Sequence, residues 1–274
     1  MNGKKKRFKG NGYLIAGGII AGLFLVLGAI GLFWTPYSTT AMSAAHKFEG
    51  PTMAHMMGTD NFGRDIFSRV MSGLGMTVLV GTIVVLVSGS IGIVIGALTG
   101  YFGGIVDSIL MRINDALNSF PSILLTLVLI SVFGTGKYNV ILALSIVFVP
   151  SFVRIVRSEY IKYRHADFVA GARLMGAGDL RIMFVHILPN VMSTFLVAAA
   201  IGFNNAILAE AGMSYLGIGM QPPDASLGKM LSDAQTYLFT APWYALFTGF
   251  TLVLFVLGFS LLSEGIRKNM RDKK

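Results

Sequence analysis

Charge is scarce in this sequence, and what there is carries one sign more than the other. Only 13% of the 274 residues are Asp, Glu, Lys or Arg against 54% hydrophobic, and the mean hydropathy is +0.70. A soluble domain of this length could not hide that much apolar surface in one core. Cysteine is absent, which excludes disulfides and thiolate chemistry. No G-x-x-x-x-G-K-[ST] occurs. "GTGKY" (134–138) and "LGKM" (227–230) hold Gly-Lys without the spacing or the following Ser/Thr, so the chain is not its own ATPase. H-E-x-x-H is missing too, and His46, His55, His165 and His186 do not share a helix face at ligand spacing, so no metal site is expected. None of these histidines lies in an apolar run, which leaves Ser214 of "GMSYLG" without a base and weakens the reading as an intramembrane hydrolase. An ion-coupled secondary transporter would show ionisable residues near midplane and an internal repeat, and neither stands out.

What is present is a series of apolar runs. Residues 13–33, 76–100, 119–133 with their flanks, 191–209 and 243–263 are nearly free of charge, and 140–153 makes a shorter sixth. The pattern predicts six transmembrane helices, because a lipid-exposed backbone pairs its polar groups only in helices or a closed barrel, and barrel alternation is lacking. The first run follows Lys4-Lys5-Lys6-Arg7 but, at about 20 residues, exceeds the usual h-region of a secretory signal. It is read as an uncleaved first helix. With the N-terminus inside, seventeen of the 22 Lys and Arg fall on the cytoplasmic side and five outside. The net charge of +9 thus reports topology, with both termini cytoplasmic, and no nucleic-acid partner is expected.

Between the first two spans, residues 34–75 form an external segment too long for a simple turn, with "GTDNFGRDIFSR" at 58–69. It is expected to fold. Asp65 is placed to cap a short helix running toward Ser72 and to pair with Arg69 one turn on. In the second span Ser88, Gly92, Gly96 and Gly100 form a small-residue stripe for close helix packing. The third opens on Asp107, Arg112, Asn114, Asp115 and Asn118, then "FPS" at 120–122, where proline permits a bend. Asn204 and Asn205 lie inside the bilayer and Glu210 near the outer end of the fifth span. They are candidates for lining a pathway or for interhelical hydrogen bonds.

The most polar stretch between spans is 160–190. Asp167 is placed to cap a short helix with Phe168, Ala172 and Met175 at i, i+4 and i+7. Gly176 to Gly178 break it. Asp179 would cap a second helix with Leu180, Met183, Phe184 and Ile187 on one face, and Pro189 would open the fifth span. Two short helices meeting at a glycine corner, with Leu174 and Met175 at the tip, suit a knob that engages a soluble partner. An amphipathic helix lying on lipid headgroups needs the same stripe, and periodicity leaves both open.

Here a family resemblance enters. "DFVAGARLMGAGDLRIMFVHILPN" (167–190) resembles the cytoplasmic EAA loop of ABC importer permeases, E-A-A-x-x-x-G followed by I-x-L-P. It is most similar to the C-type permeases of dipeptide, oligopeptide and nickel importers, in which "GTD..GRD..SR" also precedes the first core helix. "SYLGIG" (214–219), "PPDASLG" (222–228) and "PW" (242–243) agree as well. The resemblance implies an all-α membrane protein of six transmembrane helices: a type I ABC importer permease (MetI-like) core with one extra N-terminal helix. Residues 1–75 would hold the N-terminal tail, first helix and external segment; 76–266 the permease core with coupling loop 158–190; and 267–274 a basic tail.

The implied function is the permease subunit of an ATP-driven importer of short peptides in the bacterial cytoplasmic membrane, with nickel or a metal chelate as the alternative cargo. Implied partners are a homologous second permease forming a heterodimer, two cytoplasmic ATPases that carry ATP and Mg, and an external substrate-binding protein. No cofactor is implied in this chain. The coupling residues would be Asp167, Ala170, Gly171, Ala172, Leu174, Met175, Gly176 and Asp179, and the external motif Gly58, Thr59, Asp60, Gly63, Arg64 and Asp65. The chain departs from the family at the signature glutamate, where it has Ala170.

Overall fold

Without water to pair its amides, an apolar run closes its own hydrogen bonds. The computed structural model describes residues 2–271 and is helical through these runs except at 119–121. Nine helices organise the described residues: α1 (Asn2–Phe33), α2 (Ile66–Phe102), α3 (Gly104–Asn118), α4 (Ser122–Phe133), α5 (Lys137–Tyr163), α6 (Asp167–Leu174), α7 (Asp179–Tyr215), α8 (Leu227–Gln235) and α9 (Pro242–Arg271). Residues 272–274 of the expected basic tail lie outside the described residues.

Five of these, α1, α2, α5, α7 and α9, are long and apolar enough to cross a membrane. A sixth candidate is a bent pair: α3 and α4 are apolar enough only together and meet at 90°, as a broken span or a re-entrant loop. The break has a local cause. Proline disfavours the helical region for the residue before it, so α3 stops short of Phe120, and α4 restarts with the Leu125 amide on the Pro121 carbonyl. Two sequence expectations are corrected. The helix capped by Asp65 is not a short surface helix but the start of α2, which runs unbroken to Phe102. The second short helix of the polar loop is likewise continuous with the fifth span as α7. Its residues Ile182–Ile187 adopt π-helical pairing, with the Leu188 amide on the Met183 carbonyl. That wider register carries the helix past Pro189, which has no amide hydrogen to give.

The chain divides into two compact units. One comprises Met1–Thr82, Ile130–Ile141 and Asn204–Lys274, the other Ile83–Leu129 and Leu142–Phe203. In the first, α1 lies along α9: Gly17 meets the backbone of Leu261 and Leu262, Gly258 meets Ile20 and Ala21, and Phe24 stacks edge-on against Phe255 at 6.0 Å. Further along α1, Gly28 and Gly31 meet Gly75 and Met71 on α2. In the second unit, Gly92, Gly96 and Gly100 of α2 face Phe152, Val156 and Tyr160 of α5, as the small-residue stripe predicts. Phe152, Val156 and Tyr160 are buried there with Ala97, Ile182 and Met183. Ion pairs tie α3 to α5: Arg157 holds Asp107 through two bonds of 2.6 Å, and Arg154 holds Asp115 at 2.8 Å.

Candidate functional site

The polar loop between α5 and α7 is built from a short helix and a left-handed stop. Ala166 occupies the N-cap of α6, and Asp167 is its first helical residue without a capping bond. Gly178 is likewise the N-cap residue of α7, with Asp179 just inside. The expected capping by both aspartates is therefore corrected: each sits one position too far along, where its charge faces the positive helix end without bonding an amide. The C-terminus of α6 does follow the sequence. Gly176 has φ of 82°, its amide bonds the Arg173 carbonyl, and the Ala177 amide bonds the Ala172 carbonyl. These two bonds form a Schellman cap, which needs the left-handed residue that glycine supplies most cheaply.

The cap presents an apolar tip, with Leu174 90% and Met175 83% exposed. Ala170 and Gly171 are exposed on the same helix, and Val169 is buried beneath it. Tyr101, at the end of α2, joins both arms of the loop. Its hydroxyl donates to Asp179 Oδ1 at 2.5 Å and accepts from Arg173 Nη2 at 3.0 Å. That bond pushes the Arg173 guanidinium up from its ordinary range. Tyr160 adds a second tie, donating to the Met183 carbonyl at 3.0 Å inside the π-helical turn. Neither tyrosine was singled out by the sequence. Tyr101 follows the glycine stripe directly, but its partner Asp179 lies 78 residues on, and no periodicity spans that interval.

The motif residues 58–65 fold around one buried carboxylate. Asp60 accepts from the amides of Phe62 and Arg64 at 2.8 and 3.0 Å and from Arg64 Nε at 2.7 Å, with Arg69 Nε 3.6 Å away. Thr59 donates to the His46 carbonyl and accepts from the Glu49 amide. Gly58 has φ of 77°, and a Cβ there would stand 2.8 Å from the Trp243 ring. Gly63 passes closer still to Ser43, whose carbonyl oxygen a Cβ there would overlap. Asp65 caps α2 by accepting from the Ser68 amide at 2.7 Å. Its expected pairing with Arg69 is not formed; Asp65 binds His55 Nδ1 at 2.9 Å, and Arg69 turns toward Asp60. A buried acid that already has both arginines nearby and backbone donors is the stronger attractor.

Of the polar residues in the fifth span, Glu210 is fully buried and accepts from Thr77 at 3.1 Å and from Ser214 at 2.7 Å. Ser214 Oγ in turn accepts from the Met220 amide, which fixes the turn after α7. Asn204 is buried and donates to Ser260 on α9 at 3.1 Å, whereas Asn205 is exposed. No group of three or more His, Asp or Glu side chains is arranged to hold a metal among the described residues.

Five helices long and apolar enough to cross a membrane, with a polar loop between α5 and α7, make this a polytopic membrane protein. Residues 92–272 match the binding-protein-dependent transport system inner membrane component family, and the chain belongs to that family, the permease subunits of ABC importers. It is 38% identical to the dipeptide transport system permease protein DppC of Alkalihalophilus pseudofirmus, over 98% of this chain and 88% of that protein. It is also 38% identical to the glutathione transport system permease protein GsiD of Pectobacterium atrosepticum, over 93% of this chain and 86% of that protein. Its fold is similar to a permease chain of the inward-facing methionine ABC transporter MetNI, with a TM-score of 0.58 and 18% identity over 75% of this chain and 96% of that one.

Proposed function

We propose that this chain imports short peptides as one permease of a heterodimer, driven by ATP and Mg on two cytoplasmic ATPase subunits and fed by an external binding protein. Residues 158–190 form the coupling loop on the cytoplasmic side, where both termini also lie, and the Asp60 fold stands on the external side. The observation that carries this reading is the α6 tip: two large apolar side chains that the rest of the chain leaves uncovered, held by a Schellman cap beside two arms tied to the end of α2. Exposed apolar groups on a rigid corner are costly unless a partner covers them. Permeases of dipeptide and glutathione transport systems are its relatives at 38% identity. ATP shifts a two-state permease only by its differential affinity for the two states, so the loop must meet the ATPase differently in each.

The test is uptake of a labelled dipeptide by cells in which this chain is the replaceable C-type permease. Uptake should require ATP and disappear on its deletion. Uptake driven by an ion gradient through the purified chain alone would overturn the reading.

A further inference from the structure

One cleft in the proposed coupling loop carries charge of a single sign. α6 and the first turns of α7 enclose a cleft of about 470 Å³, apolar where Phe168, Ala172, Met175 and Ala177 line it, with Arg181 and His186 at its edge. No acid lines it. Asp179, the nearest one in sequence, has its carboxylate engaged by Tyr101, and Asp167 lies at the far end of α6. Ala170 and Gly171 contribute no charge. Arg181 is exposed and has no hydrogen-bond or ion-pair partner among the described residues. An unpaired guanidinium over an apolar cleft is a fork waiting for a carboxylate, since its fixed donors match two oxygens at once.

We propose that this cleft receives a carboxylate-bearing side chain of the ATPase subunit, with Arg181 as its ion-pair partner. The polarity of docking is then the reverse of what a glutamate on the loop would give. This rests on the coupling-loop reading above and names the chemistry of the surface that must meet it. The acid sits over the apolar floor, where water is excluded and the pair gains strength, while Leu174 and Met175 supply the surrounding contact.

The experiment measures binding of the ATPase subunits to the full permease assembly in nanodiscs across a range of sodium chloride concentrations. Arg181→Gln should weaken binding about tenfold and flatten its salt dependence, whereas Arg181→Lys, which keeps the charge but not the fork, should keep the salt dependence and lose part of the affinity. Arg181→Glu should be weaker still. Gly171→Glu should weaken binding too, because it puts an acid on the cleft lining opposite an acid. Arg112→Gln on α3 should leave binding unchanged. Binding of Arg181→Glu as tight as wild type, or tighter binding by Gly171→Glu, overturns the proposal while leaving the permease reading intact. An ATPase that never associates with the wild-type assembly overturns both.

Discussion

Tyr101→Phe removes one oxygen atom and with it both bonds that join the arms of the loop. The ring stays, edge-on to Phe102 at 5.1 Å, so packing is conserved. A hydrogen bond to a charged group contributes about 1.5–3 kcal/mol net. Here Asp179 and Arg173 are both exposed, and water replaces part of what is lost. The expected loss is therefore about 1–2 kcal/mol for the closed arrangement of the loop, or roughly 5- to 30-fold in its local opening. Hydrogen exchange of the amides at 176–182 reads this directly, and should accelerate by that factor while the amides of α5 do not change. ATP hydrolysed per peptide imported should rise in the same variant, because a looser loop transmits less of the ATPase motion. Exchange within about twofold of wild type at 176–182 would refute the role given to the hydroxyl.

Three further outcomes are expected. Gly96→Ala places a Cβ 2.7 Å from Val156 Cβ and 2.9 Å from the Val153 carbonyl, an overpacking cost of about 1–3 kcal/mol that exceeds the roughly 0.5–1 kcal/mol alanine gains in a helix. The melting temperature in detergent should fall by several degrees, while Gly18→Ala, with open space around it, should not lower it; equal behaviour of the two contradicts the stripe packing. Asp60→Asn strands the buried Arg64 and Arg69 beside a neutral amide and should cost about 3–5 kcal/mol, seen as loss of monodisperse protein, whereas near-normal yield would show that the network is not holding the segment. Leu174→Asp changes a side chain that is 90% exposed, so folding should shift by less than about 0.5 kcal/mol, yet peptide uptake should be lost. Normal uptake would remove Leu174 from the coupling contact.

The parts legible in the sequence share one property: their cause is local. Apolar length gives the spans, Gly176 gives the stop, and the spacing of Gly92, Gly96 and Gly100 gives the face that meets α5. The misjudged parts depend on competition between partners that are far apart in sequence. Asp179 reads as a cap but lies one position inside α7, and the phenol of Tyr101, which only the fold brings near, bonds its carboxylate. Asp65 and Arg69 stand one turn apart as an ideal pair, yet His55 and Asp60 divide them. Pro189 reads as a helix start, and the π-helical turn turns it into an interior residue. These long-range ties also bear on how the loop works. An eight-residue helix such as α6 is too short to be stable alone, so its orientation is fixed by what holds its ends. One end joins α5 through a tight turn, and the other closes on Gly176 and, through Arg173, on Tyr101. A push on Leu174 and Met175 would therefore reach the ends of α2 and α5 together, the two helices that meet where Gly92, Gly96 and Gly100 admit Phe152, Val156 and Tyr160. Glycine on the α2 face lets the α5 side chains seat directly on its backbone, and that seam leaves little compliance at the loop end of the two helices.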